Sequence, residues 1–235
     1  MTRRYGVYFC PQEDTELYRF GSWWLGRDCR SPEAGPPPDC ALDNVTWRRI
    51  TESPRLYGLH ATLKPPFALA DGLTRGALVE ALAVLAAGHA AFDVPSLQLV
   101  RHQGFLALTP QAASPPLAAL ADACVTELDR FRRPAAEAEI ARRRAGGLTP
   151  RQDELLLRWG YPYVLDQFGF HITLTERLSD EEAKLVLPIL TSRITEFRTA
   201  TQPVADLCLF EQAENQAPFI LTERLSLAAP AKNSR

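Results

Sequence analysis

Two stretches of this 235-residue chain decide how it folds: Tyr57-Gly58-Leu59-His60-Ala61-Thr62-Leu63 and Phe168-Gly169-Phe170-His171-Ile172-Thr173-Leu174. All seven positions match in character, in the order aromatic, Gly, apolar, His, aliphatic, Thr, Leu, and the two histidines lie 111 residues apart. In an extended strand, side chains alternate between faces, so His and Thr two residues apart share one face while the apolar residues between them point to the other. Each stretch therefore reads as a strand with one polar and one core face. Gly58 and Gly169 fall on the polar face two residues before each His, where a missing side chain leaves room for a ligand. The same face continues to Lys64 in the first copy and Thr175 in the second.

The sequence around the two frames repeats as well. After Leu56–Leu63, closed by Lys64-Pro65-Pro66, Thr74 caps a helix carrying Leu78, Leu82 and Leu85, and strands follow at Phe92–Val100 and Phe105–Thr109. After Phe168–Thr175, Ser179 with Glu182 forms a capping box for a helix reaching about Phe197, kinked at Pro188, and strands follow at Val204–Phe210 and Phe219–Leu227. Strand, helix, strand, strand occurs twice, which marks a duplicated architecture.

Between the copies, Ser114 and Pro115 open a helix, and Thr149 to Gln152 cap another that Gly160 ends. Upstream lie a strand at Tyr5–Phe9, a helix capped by Asp14, a loop at Ser31–Cys40 and a short helix at Val45–Thr51. The expected fold is α+β: one domain over residues 1–235, with antiparallel sheets flanking a central cleft and helices outside. Its two lobes are expected at roughly 56–131 and 149–228, related by a pseudo-twofold axis, with residues 1–10 adding a strand.

Composition bounds the function. The 26 Lys and Arg against 28 Asp and Glu, with 46% hydrophobic residues, describe an ordinary globular chain and argue against a protein that grips long nucleic acid. The five cysteines are odd in number and form no CxxC pair, so reduced, packed thiols in a cytoplasmic protein are expected. The first residues, basic and then only briefly apolar, are not expected to form a secretory segment, and the Ala77–Ala91 stretch, interrupted by Glu80 and His89, reads as a buried helix rather than a membrane span.

Two imidazoles and two hydroxyls around one cleft suit a particular chemistry. With an ordinary pKa of about 6.5, one His can remove a proton while the other delivers one. Threonine hydroxyls donate to an oxyanion without adding charge. In-line attack on a phosphodiester fits: His60 and His171 serve as acid and base in an order the sequence leaves open, and Thr62 and Thr173 hold the non-bridging oxygens. No metal or other cofactor is called for, because each His is paired with a hydroxyl, a poor zinc ligand.

Lys64, Thr175, Tyr5 and Arg27 are the candidate substrate contacts. Tyr161 and Tyr163 are weaker ones, since aromatic residues are more often core. His89 and His102 read as surface residues, and the Arg-rich segment from Arg130 to Arg151 reads as a solvated connector.

On these residues the chain resembles the 2H phosphoesterase superfamily of 2′-5′ RNA ligase-like proteins and cyclic nucleotide phosphodiesterases. RYGVYFCP, WWLGRD, YGLHATLKPPF and FGFHITLT are similar to a branch associated with phosphonate metabolism. The resemblance implies a two-lobed α+β fold, metal-independent phosphodiester chemistry and catalytic roles for His60, Thr62, His171 and Thr173. For the narrower branch it implies a small phosphorylated substrate, a sugar cyclic phosphate such as a ribosyl 1,2-cyclic phosphate. Two alternatives stand beside it: a non-catalytic binder of a nucleotide or RNA end, and a 2′,3′-cyclic phosphodiesterase or RNA-end processing enzyme.

Overall fold

The computed structural model describes residues 3–195 and 199–229. In chain order the elements are β1 (Arg4–Phe9), α1 (Glu16–Leu25), α2 (Asn44–Ile50), α3 (Glu52–Tyr57), β2 (Ala61–Phe67), α4 (Arg75–Ala87), β3 (Phe92–Val94), β4 (Leu97–His102), β5 (Phe105–Pro110), α5 (Pro115–Glu127), α6 (Glu137–Arg144), α7 (Pro150–Trp159), β6 (Ile172–Thr173), α8 (Asp180–Ile194), β7 (Gln202–Val204), β8 (Asp206–Gln212) and β9 (Phe219–Ser226). Antiparallel sheets with helices packed on them make this an α+β fold.

Local chemistry sets the element ends. The Thr149 and Ser179 capping boxes both form, and Gly160 closes α7 in a left-handed conformation at φ 75°. The Thr74 hydroxyl accepts from the Ala77 amide at the start of α4. The cap of α1 is Thr15, which accepts from the Tyr18 amide, and not Asp14 as the sequence suggested. Three further expectations shift. Residues Leu56 and Tyr57 finish helix α3 instead of opening a strand, so β2 starts at Ala61 and runs on through Pro65 and Pro66. The expected single strand at Phe92–Val100 divides into β3 and β4 around Pro95-Ser96. The connector contains a helix, α6. The expected end of the long helix at Phe197 lies outside the described residues.

Seven strands form one sheet in the order β4-β5-β6-β2-β1-β8-β9, and β3 pairs with β7 in a second. The motif strands β2 and β6 are neighbours, yet β6 also pairs with β5 of the first repeat, while β2 faces β8 of the second repeat across β1. The repeats are therefore interleaved: each motif strand lies toward the hairpin of the other copy. Strand β1 breaks the symmetry by inserting between β2 and β8.

One face of the large sheet carries the main core, where Val7, Phe9, Ala61, Leu63, Ile172 and Leu207 meet helices α1, α4, α5 and α8. The opposite face holds a smaller cluster in which Tyr8, Cys10, Tyr18, Cys29, Cys208, Phe210 and Phe219 are buried. The cysteines are all free thiols, and four of the five are buried. Among the described residues no helix is long and apolar enough to cross a membrane.

Candidate active site

The β2–β6 pairing builds the site. Ala61 and Ile172 are Cα partners in an antiparallel ladder, and both are fully buried on the core side. One step along the ladder in either direction sets His60 opposite Thr173 and Thr62 opposite His171, on the face away from the core. The four polar side chains occupy adjacent strand positions related by a local twofold.

Each imidazole is held the same way. Nδ1 of His60 lies 2.9 Å from the Gly58 carbonyl oxygen, and Nδ1 of His171 lies 2.7 Å from that of Gly169. A carbonyl only accepts, so Nδ1 carries the proton and Nε2 is turned away with its lone pair available. The same bond persists when the ring is protonated, so either His can serve as base or acid without reorienting.

Their surroundings differ. His60 sits in an aromatic box: Tyr57 stacks on it with centroids 5.0 Å apart, and the Tyr8 ring lies at 4.5 Å. Burial pushes its pKa down to about 4, with smaller contributions in the same direction from the charges of His171 and Arg27, against the raising effect of the Gly58 carbonyl. His171 is also pushed below its ordinary value, first by burial and then by the charge of His102, but it lies beside an open cavity of about 440 Å³. Thr62, Tyr161, Tyr163, Gln152, Gln167 and Phe168 help line that cavity. Its size suits a small molecule.

His102, expected on a solvated hairpin, belongs to this cavity, and its ring stacks against His171 with centroids 5.9 Å apart. The β4–β5 pairing, which places His102 opposite Phe105 beside β6, brings it there. No local signal in the sequence announced this. Tyr8 was missed too, although its place one residue after the core-facing Val7 puts it on the cleft face by simple alternation.

The four expected substrate contacts lie elsewhere. Tyr5 is buried on the core face, with its ring 6.4 Å from that of Phe67. Arg27 is buried and donates to the carbonyls of Ser31, Arg55, Leu56 and Phe219, which ties the loop after α1 to the end of α3 and to β9. Lys64 is only 2% exposed, and its Nζ donates to the Val125 carbonyl of α5 at 3.1 Å. A register shift in the β1–β2 ladder, where Tyr8 faces Thr62 but Val7 faces Lys64, places an extra residue in β2 and breaks the alternation that would have set Lys64 beside Thr62. Thr175 is fully buried beyond the end of β6, and its Oγ1 accepts from the Leu106 amide at 2.9 Å.

The two motif glycines also differ. Gly58 has φ +74°, and a Cβ there would stand 2.6 Å from the Cys29 Cβ, so it is required by backbone and packing rather than by a ligand. At Gly169 a Cβ would meet nothing within 4 Å, and the residue borders the cavity. Among the described residues, no three His, Cys, Asp or Glu side chains come together as a metal-ligand set.

The chain is 32% identical over 236 residues to a protein of Janthinobacterium sp. (strain Marseille) named ribose 1,5-bisphosphate phosphokinase PhnN, covering 98% of this chain and 52% of that one. It is 37% identical over 221 residues to a protein of the same name from Laribacter hongkongensis (strain HLHK9), covering 93% and 50%. The chain thus spans about half the length of the curated relatives it matches. Among solved structures it is similar to E. coli LigT in apo form, at 16% identity and a TM-score of 0.47 over 97% of this chain and 98% of the other. LigT complexed with 3′-AMP gives 15% and 0.46 over 97% and 99%. Residues 62–220, more than half of the sequence, match a family described as protein of unknown function (DUF1045), and the chain belongs to that family.

Proposed function

We propose that this protein is a metal-independent phosphodiesterase that opens a small cyclic phosphate by paired histidine acid–base catalysis. The observation that carries this reading is the Ala61–Ile172 pairing, which brings both His-x-Thr frames onto one face with each His across from the other copy's Thr. The proposed step is hydrolysis: a water oxygen bonds to phosphorus, the P–O bond of the ring breaks, and a phosphomonoester and a free hydroxyl result.

His60 is the proposed base. Its lowered pKa of about 4 keeps Nε2 unprotonated at neutral pH, ready to take the proton of the attacking water. His171, in the more open setting, is the proposed acid that protonates the departing oxygen, once the anionic substrate beside it favours its charged form. Thr62 and Thr173 donate to the non-bridging oxygens. The reading calls for no cofactor.

The kinase activity in the relatives' name is not carried over. The chain spans half of those proteins, and its sequence contains no G-x-x-x-x-G-K-[ST] stretch to cradle nucleotide phosphates. What the name supports is a ribose phosphate setting, which agrees with a ribosyl 1,2-cyclic phosphate as substrate. The cavity beside His171, with its tyrosines and glutamines, suits a hydroxylated ring.

The test is a screen of sugar and nucleoside cyclic phosphates followed by phosphorus NMR, with His60→Ala and His171→Ala as controls and EDTA added in parallel. Ring opening that both substitutions abolish and EDTA leaves untouched is expected. Turnover that survives either substitution would overturn the mechanism, and loss of turnover with EDTA would point to a metal enzyme.

A further inference from the structure

The charge that a phosphorylated substrate calls for is not supplied by Lys64 or Arg27, whose polar atoms end on backbone carbonyls. Among the described residues that border the cavity beside His171 there is no Lys or Arg, and only the His102 and His171 side chains can carry positive charge there. The neighbouring arginines are placed otherwise. Arg101 is committed to Asp180 at 2.7 Å and to the Leu178 carbonyl at 2.9 Å. Arg143 of α6 lies over the Tyr161 ring, 4.8 Å from its centroid, and pairs with Glu139 at 3.1 Å. Arg177 is exposed, and its stem packs beside the hairpin turn, where a Cβ at Gly104 would stand 3.7 Å from its Cγ.

His102 is presented to the cavity by a tightly held piece of backbone. It pairs with Phe105 at the end of the β4–β5 ladder, and the two-residue turn between them, Gln103-Gly104, has φ 46° and 93°, the positive values that a type I′ hairpin turn requires. The turn is bonded to the segment that follows β6: the Leu178 amide donates to the Gly104 carbonyl at 2.8 Å, and Arg101 donates to the Leu178 carbonyl. These bonds fix His102 relative to β6. Its ring meets Phe105 edge-on at 5.3 Å and lies 5.9 Å from the His171 ring, centroid to centroid. Nδ1 of His171 is committed to the Gly169 carbonyl, whereas neither nitrogen of the exposed His102 ring has a hydrogen-bond partner among the described residues. Two hydrogen bonds of about 2.8 Å with a phosphate between them span more than the 5.9 Å between the rings, so one phosphate along their edges reaches both.

We infer that His102 is a phosphate-binding residue: its imidazole donates to a non-bridging oxygen of the same phosphate group on which His171 acts. The pair supplies the positive charge that the rest of the cavity lining lacks. The inference deepens the phosphodiesterase reading and rests on it for the identity of the anion's carrier, while the contact itself is measurable without turnover.

Inorganic phosphate, titrated into the full chain by calorimetry, is the probe. His102→Phe keeps a ring against His171 and removes both nitrogens; it should weaken phosphate binding about tenfold, the loss of one charge-assisted hydrogen bond, with the thermal unfolding profile retained because the exposed ring has no hydrogen bond to lose. His102→Lys, which restores a cationic donor without the ring, should recover part of that loss; a residue that merely packs against His171 would give the opposite order. With a cyclic phosphate as substrate, the larger part of the His102→Phe effect should fall on KM. Phosphate binding that is unchanged in His102→Phe, or absent from the wild type, would overturn the inference, and so would a loss seen in Arg143→Ala or Arg177→Ala but not in His102→Phe. If phosphate binding depends on His102 while no cyclic phosphate is opened, the contact stands and the phosphodiesterase reading falls. If ring opening proceeds in His102→Phe with the wild-type KM, the reading stands and the contact falls.

Discussion

Ala61 and Ile172 face each other across β2 and β6, and each is fully buried. The positions of His60, Thr62, His171 and Thr173 follow from that one pairing. Because strand side chains alternate, a slip of one residue would turn both histidines into the helical layer and both apolar residues into the cleft, so burial of this pair locks the register.

The first prediction concerns the division of labour this creates. His60→Ala and His171→Ala should each reduce kcat about 10²- to 10⁴-fold, the range of a lost acid or base. Thr62→Val and Thr173→Val should reduce it by up to about 10²- to 10³-fold, the loss of one oxyanion donor. Steady-state kinetics on a cyclic phosphate, with unfolding curves to confirm the fold, measures both. A valine variant with unchanged kcat would remove that threonine from the mechanism.

The second prediction is a pH profile. With His60 as base at about 4 and His171 as an acid held below 6.5, kcat/KM should describe a bell whose rising limb lies near 4 and whose falling limb lies below 6.5. The charge of His102 lowers the His171 pKa, so His102→Gln should move the falling limb to higher pH and leave the rising limb in place. Stability carries the same signature. Between about 4 and 6.5 the unfolded chain binds more protons at His60 than the folded one, so the His60 contribution to stability is complete above 6.5 and is lost as pH falls through that window. His60→Gln should flatten this slope in thermal melts recorded from pH 4 to 7. A falling limb in His102→Gln that does not move would exclude the stacked pair as its cause.

A third expectation follows from where Lys64 ends. Its pKa is lowered to about 8 by burial, and its ammonium lies 5.3 Å from the Phe67 centroid, away from the cleft. Between about 8 and 10.5 the unfolded chain holds the Lys64 proton more tightly than the folded one, so stability should rise with pH across that window. Lys64→Met should abolish the rise and leave kcat/KM within about twofold of wild type, since substitutions away from reacting groups rarely reach the chemistry. A tenfold fall in kcat/KM with an intact fold would return Lys64 to the site.

These outcomes also show what the chain discloses as text. The two His-x-Thr frames and the helix caps at Thr74, Thr149 and Ser179 were legible because strand alternation and capping are local rules. The substrate contacts were not. Lys64 is displaced by a register shift that depends on the neighbouring strand β1, and Tyr5 is set on the core face by the parity of that same strand. His102 reaches the cavity only because β5 pairs with β6, a partner 66 residues downstream by the Ala107–Thr173 register. Interleaving of the two repeats is invisible in either repeat read alone.

The paired glycines give the sharpest contrast between sequence symmetry and structural role. Gly58 combines φ +74° with ψ −177°, a region nearly closed to other residues, and a Cβ there would stand 2.6 Å from the Cys29 Cβ. Gly58→Ala should therefore cost about 1–3 kcal/mol of stability from backbone strain alone, before the clash is counted. It should also impair catalysis, because the Gly58 carbonyl orients His60. Gly169 stands in open space beside the cavity, so Gly169→Ala should melt within a few degrees of wild type yet raise KM by narrowing the approach to His171. Chemical denaturation with kinetics on both variants separates the two cases. If Gly169→Ala destabilised the fold as much as Gly58→Ala, the glycine of the second frame would be structural as well, and the open side of the cleft would have to lie elsewhere.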